Sequence, residues 1–189
     1  MGLFEELSSS NLEALERYKV GLVVTTSPHC YNAFKRRYPH LKVEVKHYTQ
    51  FLCELMDEGR LRLSGGLDEV VTYHDPCYLG RHNGVYEEPR KLLEAALSKG
   101  LVEMDRSRSR SLCCEGGGGR MWYEGPGGQR LSEARVQEAL RTGASTIAVA
   151  CPFCLANLED AVKTLGVEES VKVMDVAELL LSSVSHLSS

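Results

Sequence analysis

Five of the chain's cysteines stand at spacings that only a convergent fold can use. Cys77 is followed, after 35 intervening residues, by the adjacent pair Cys113 and Cys114, and after another 36 by Cys151 and Cys154, which form a CxxC. Adjacent cysteines make poor disulfide partners for each other, because the short ring forces strained S–S geometry. The total of seven cysteines is odd, which also argues against a framework of disulfides alone. The pattern reads as thiolates gathered on one metal centre. Zinc closes its structural sites with four ligands, and cubane iron–sulfur clusters also take four thiolates. Five point to an iron–sulfur cluster with an additional protein ligand, opened or otherwise atypical. The alternatives are a structural zinc site using four of the five, or a thioredoxin-like dithiol at the CxxC.

Thiolates so distant in sequence meet only if the chain keeps returning to one edge, and its patterning is of that kind. β-Branched runs at residues 20–26, 41–47, 70–74, 146–150 and 170–174, with another around 101–104, read as strands. Helix-spaced apolar positions lie between them at 11–18, 28–38, 50–58, 88–97, 132–141, 152–165 and 176–183. Strands separated by helices of this length predict an α/β fold, a mostly parallel sheet flanked by helices. Residues 79–84 and 124–129 read as open turns. Binding sites in such sheets lie beyond the carboxyl ends of the strands. Cys77, the Cys113–Cys114 pair and Cys151 all fall there, and Cys154 falls in the first turn of the helix opened by Pro152, where free N–H groups favour a thiolate. Leu92, Leu93, Ala96 and Leu97 form a helical row assigned to the core.

The order of elements repeats. Ser27-Pro-His-Cys30 and Cys151-Pro-Phe-Cys154 lie 124 positions apart in the same strand-to-helix turn. Residues 66–189 read as one complete unit and residues 1–65 as the C-terminal half of a preceding one. The missing half is then expected from a longer chain or a partner.

Composition narrows the class. With 43% hydrophobic and 25% charged residues and a net charge of −4, the chain suits one globular domain or two small lobes and carries no nucleic-acid footprint. No apolar run approaches the ~20 residues of a transmembrane segment, and the acidic N-terminus lacks the form of a signal peptide. The expected compartment is the reducing cytoplasm, where thiols stay free or bind metal.

Four glycines, Gly116 to Gly119, follow the cysteine pair directly. Backbone this bare approaches closely and turns N–H groups toward sulfide or thiolate, so Gly116, Gly117 and Gly118 are candidate cluster-supporting residues. No Lys-Ser/Thr follows, which weakens a phosphate-loop reading. Arg106, Arg108, Arg110 and Arg120 bracket the pair and are candidates to offset an anionic cluster or to form a docking face. His74 and Asp75, beside Cys77, are candidate proton donors to a reacting sulfur, or else they bond the turn backbone. Arg81 and His82 are candidates for contact with an anionic substrate or partner, and Trp122 for shielding a cluster from water or filling a core gap.

Three segments carry a resemblance: His74-Asp-Pro-Cys-Tyr-Leu-Gly80, Cys113-Cys-Glu-Gly-Gly-Gly-Gly119 and Ala150-Cys-Pro-Phe-Cys154. Together they resemble the cysteine-rich CCG domain of the B-type and D-type catalytic subunits of heterodisulfide reductase and of related iron–sulfur oxidoreductases, over essentially the whole chain. The resemblance implies a non-cubane [4Fe-4S] cluster held by Cys77, Cys113, Cys114, Cys151 and Cys154. It implies electron transfer to, or reductive cleavage of, a disulfide or other sulfur substrate. The chain has neither a ferredoxin-type cysteine run nor a flavin or nicotinamide fingerprint. An electron-donating iron–sulfur or flavoprotein domain or subunit is therefore expected, and a place peripheral to a membrane complex is compatible with that; a non-catalytic relay subunit is the alternative. Two positions depart from the family. Glu115 replaces the glycine after the pair, and Ser27 replaces the first cysteine of Cys-Pro-His-Cys. The N-terminal half is accordingly expected to bind no cluster, with Cys30 and Cys53 as leftover thiols.

Overall fold

The computed structural model describes residues 2–38, 40–123, 128 and 130–184. The chain runs α1 (Leu3–Arg17), β1 (Leu22–Thr25), α2 (Pro28–Arg37), β2 (Glu44–His47), α3 (Tyr48–Asp57), β3 (Val71–His74), α4 (Glu87–Ala96), β4 (Leu101–Val102), α5 (Leu131–Leu140), β5 (Thr146–Val149), α6 (Pro152–Leu165), β6 (Lys172–Asp175) and α7 (Val176–Leu181). Single 3-10 turns occur at Arg108–Arg110 and Arg120–Trp122. All strand pairs are parallel: β1 lies beside β2, and a four-stranded sheet has the order β4-β3-β5-β6. The α/β class and the parallel sheets flanked by helices expected from the sequence are both present.

The central strands explain why they read as unbroken apolar runs. In β5, Ala148 packs into one hydrophobic cluster, together with Ala150 just past the strand's end, while Ile147 and Val149 face the other. Both faces are buried, as parallel sheets require. β3 divides the same way: Val71 and Tyr73 join the first cluster. That leaves Thr72 and His74 on the opposite face, toward α5. Leu92, Leu93, Ala96 and Leu97 are all buried in the first cluster, as expected.

Two of the parallel strand pairs share one local design. Leu22 to Thr25 pair with Glu44 to His47, as Thr146 to Val149 pair with Lys172 to Asp175. The last residue of each second strand caps the next helix. His47 accepts from Thr49 N and its own N–H reaches Gln50; Asp175 accepts from Ala177 N and its own N–H reaches Glu178. The two capped helix starts meet where Tyr48 Oη donates to Asp175 Oδ1 at 2.7 Å.

Element edges shift where caps decide them. α1 begins at Leu3, well before residue 11, because Glu5 reaches back to the Gly2 N–H at 3.1 Å and starts the helix there. α3 begins at Tyr48 rather than at residue 50, set by the His47 cap. β4 is only two residues long. Apart from Gly128, the turn expected over 124–129 lies outside the described residues. No helix among the described residues is long and apolar enough to cross a membrane.

Candidate metal centre

Each cysteine-bearing segment leaves the carboxyl end of a strand and is then fixed by polar contacts. Beyond β3, Asp75 is the organiser. Its two carboxylate oxygens accept from Arg90 Nη1 at 2.7 Å and Nη2 at 2.9 Å, with both side chains almost wholly buried. Asp75 Oδ2 also accepts from Arg108 N at 2.8 Å, and its carbonyl accepts from Ser111 Oγ at 3.3 Å. One carboxylate thus ties the turn bearing Cys77 to the loop that delivers Cys113 and Cys114. Arg90 also engages Glu103 through Nε at 2.5 Å and Nη2 at 3.0 Å, closing the network.

The pair itself is held by its own backbone. Glu115 N donates to Cys113 Sγ at 3.3 Å and Gly116 N to Cys114 Sγ at 3.4 Å, while Asn157 of α6 donates to the Cys114 carbonyl. Glu115 sits at φ 63°, in the left-handed region, which lets consecutive N–H groups turn toward sulfur. The glycines that follow are demanded by space. A Cβ on Gly116 would lie 2.6 Å from the Phe153 carbonyl oxygen, and one on Gly117 would lie 2.8 Å from His29 Nε2.

All five cysteines line a single cavity of about 210 Å³, together with His29, Pro76, Tyr78, Gly117, Gly118 and Phe153. None is in a disulfide. Cys114 Sγ and Cys154 Sγ are 3.2 Å apart. Hydrogen bonding runs from thiol to thiol and splits their acidities. Cys114, then Cys77, donates to Cys113 and pulls it down to about 2. Cys154 pulls Cys151 down to about 5, helped by the His29 ring and by backbone N–H groups at the start of α6. The donors move the other way: Cys77 is raised by its bond to Cys113, Cys114 is pushed up to about 12 by Cys113, and Cys154 rises well above the usual thiol range beside Cys114 and Cys151. Five thiols packed this closely ionise together only when a strong positive charge replaces the shared protons.

His74 lies behind the cysteines. One of its ring nitrogens is within 4.8 Å of the Cys114 and Cys154 sulfurs. Nδ1 accepts from Arg135 Nε at 3.1 Å, which places the ring proton on Nε2, a buried atom with no hydrogen-bond partner among the described residues. Burial, and then the adjacent Arg135 charge, hold the imidazole neutral, well below its ordinary pKa.

Other expected residues sit elsewhere. Asp75 is locked to Arg90 and lines no part of the cavity. Arg106 pairs with Glu138, Arg108 with Glu87 and Glu103, and Arg120 with Glu115, while Arg110 donates to the Asp105 carbonyl. None of these arginines lines the cavity. Trp122 is 84% exposed, so it neither shields the cysteines nor fills the core, because its 3-10 turn stands outside both hydrophobic clusters. Arg81 and His82 are exposed, and the His82 ring stacks on Tyr78. Cys53 is buried in the first cluster and lines no part of the cavity, and Cys30 is exposed. Sequence reasoning missed His29, which it passed over as part of a decayed ligand motif. The unbroken offset of 124 from Phe153 was the available signal.

The model of the cysteine-rich CCG domain matches residues 1–35 and 71–159, taking in all five cysteines and His29. The chain belongs to the CCG cysteine-rich domain family. Similar proteins are longer. FadF of Bacillus subtilis, named a probable iron–sulfur-binding oxidoreductase, is 46% identical over 96% of this chain but only 26% of its own length. An EtfAB:quinone oxidoreductase of Syntrophomonas wolfei is 42% identical over 94% of this chain and 26% of its own. The dihydromethanophenazine:CoB–CoM heterodisulfide reductase of Methanosarcina barkeri has one subunit that is 36% identical, over 95% of this chain and 44% of its own. This CCG chain therefore spans between a quarter and a half of the relatives it matches.

Proposed function

We propose that the chain is the cluster-binding module of an iron–sulfur oxidoreductase. In this reading it holds one non-cubane [4Fe-4S] cluster through Cys77, Cys113, Cys114, Cys151 and Cys154, and passes electrons to a disulfide-type substrate or a partner. The observation that carries the reading is the meeting of all five thiols, unoxidised, around one cavity. Residues 66–189 act as the complete unit and residues 1–65 as the half of a preceding one that has lost its ligands. Supporting this, β1 pairs on one side only among the described residues, whereas β5 is paired on both.

The residues present fit such a centre. The donor set is thiol throughout, the Glu115 and Gly116 N–H groups already face sulfur, and Gly117 and Gly118 line the cavity without side chains. When bound, the cluster supplies an electron store with affinity for sulfur. The chain does the rest. Pro76, Tyr78 and Phe153 form an apolar wall that limits water, and His74 holds a proton on Nε2 near Cys114 and Cys154. As a neutral imidazole, His74 acts first as a hydrogen-bond donor, and proton transfer to a reacting sulfur is the further role assigned to it. Reduction of a disulfide consumes two electrons and two protons and releases two thiols. The electrons come from another domain or subunit of iron–sulfur or flavoprotein type, by analogy with relatives whose names join EtfAB to a quinone and dihydromethanophenazine to a heterodisulfide.

Anaerobically purified protein is expected to be brown, with roughly four irons and matching sulfide per chain. Cys114→Ser should lose or convert the cluster, whereas Cys53→Ser, altered in the core, should retain full iron. Colourless protein with about one zinc, or equal iron loss in both variants, would overturn the assignment.

A further inference from the structure

We propose that His29, supplied by the half of the chain without a ligand set, donates a hydrogen bond to sulfur in the cysteine-lined cavity and raises the potential at which the centre accepts electrons. The inference rests on the cluster-binding reading above and goes beyond it, since His29 is not among the ligands.

Three observations converge on this side chain. His29 lines the same cavity as the five cysteines, although it comes from the first turn of α2 rather than from β3 or α6. Its ring is held in place, 4.3 Å from the Tyr78 ring and 5.1 Å, edge-on, from Phe153. Both ring nitrogens are shut off from solvent, and neither has a partner at full hydrogen-bond geometry among the described residues, although the ring stands close enough to Cys151 to lower that thiol's pKa. An imidazole carries at least one N–H in either charge state. Leaving such a donor buried and unpaired forfeits its hydration with nothing in return, so an orphan of this kind signals an acceptor that arrives with a ligand.

The surroundings identify that acceptor. No carboxylate lines the cavity, and its ionisable acceptors other than the Tyr78 phenol are thiols. Gly117 permits the approach, since any side chain there would strike His29 Nε2. The repeat places His29 where Phe153 stands in the other copy. One aromatic ring therefore carries no donor and its counterpart does, both at the same cavity. Donors to cluster or thiolate sulfur stabilise the reduced, more negative state and raise the potential.

The test compares wild type, His29→Phe and His29→Gln, reconstituted anaerobically with iron and sulfide and read by iron content, redox titration and electron paramagnetic resonance. His29→Phe keeps the ring packing and is expected to bind wild-type iron at a more negative midpoint potential with altered g values. His29→Gln, which retains an N–H donor, should move both back toward wild type. Iron loss in His29→Phe with full loading in His29→Gln would support the same donor role. An unchanged potential in loaded His29→Phe, no recovery in His29→Gln, or iron loss in both would overturn it. Failure of the wild type itself to take up iron would instead overturn the cluster-binding reading.

Discussion

At Glu115, one side chain resolves what its sequence position left open. Its Oε1 accepts from Arg120 Nε at 3.0 Å and its Oε2 from Leu131 N at 2.8 Å, so it closes the loop after the cysteine pair and satisfies a free N–H at the start of α5. The carboxylate is absent from the cavity lining. Its backbone at φ 63° carries strain of order 1 kcal/mol, offset by the two bonds. Glu115→Gly should relieve the strain and lose the cap, two effects of about 1 kcal/mol each that nearly cancel in global stability, with faster amide exchange in the first turn of α5 and unchanged iron content. The Arg90–Asp75 pair is a larger effect. Arg90→Met leaves a buried carboxylate with only the Arg108 N–H, and breaking a buried pair this way costs about 3–5 kcal/mol. A urea midpoint within error of wild type would contradict the organising role given to Asp75.

Among the elements, β2 and α3 carry the clearest pH signature. His47 is fully buried, bonded to Thr49 Oγ1 at 2.8 Å and to the Thr26 carbonyl at 3.3 Å, and burial lowers its pKa to about 4. Because the folded value lies below the ordinary 6.5 or so, the unfolded chain takes up the proton first as pH falls. The contribution is complete above about pH 6.5 and is lost at about 1.4 kcal/mol per pH unit down to about pH 4. His47→Gln should flatten that part of the profile. Asp175, raised by burial, titrates in the opposite sense, so the comparison of the two proteins, rather than either profile alone, isolates His47. These elements also show what the sequence could reveal. β5 and α6 were legible because both faces or one full stripe are apolar, β3 because its β-branched run is buried throughout, and the cysteine spacing marked the strand ends and the start of α6. The start of α1 was not, since its Ser8-Ser9-Ser10 run is poor in helix formers and its Leu3, Phe4 and Leu7 remain exposed. Asp75 and Arg90 lie 15 residues apart with no local pattern to join them, and only the turn after β3 brings them together.

Over the whole molecule, the cavity lies where four stretches of chain meet: the turn after β3, the loop after β4, the first turn of α6 and the first turn of α2. The thiols there are crowded, and their mutual hydrogen bonds push three of them up in pKa and pull two down. A ligand that binds only this converged arrangement stabilises the fold by mass action, about 3 kcal/mol when present at a hundred times its dissociation constant. For a chain of this size that corresponds to a melting shift of roughly 5–10 °C. The effect should also be local. Stripping iron anaerobically with a chelator is expected to lower the melting temperature and to speed amide exchange in residues 108–119 and at the start of α6. Exchange in β1 and β2 should hardly change, because that pair is bonded to itself and packs through Tyr31, Tyr48 and Cys53 into the first hydrophobic cluster. Uniform loosening of both sheets on iron removal would show that the centre organises the fold rather than closing a preformed cavity.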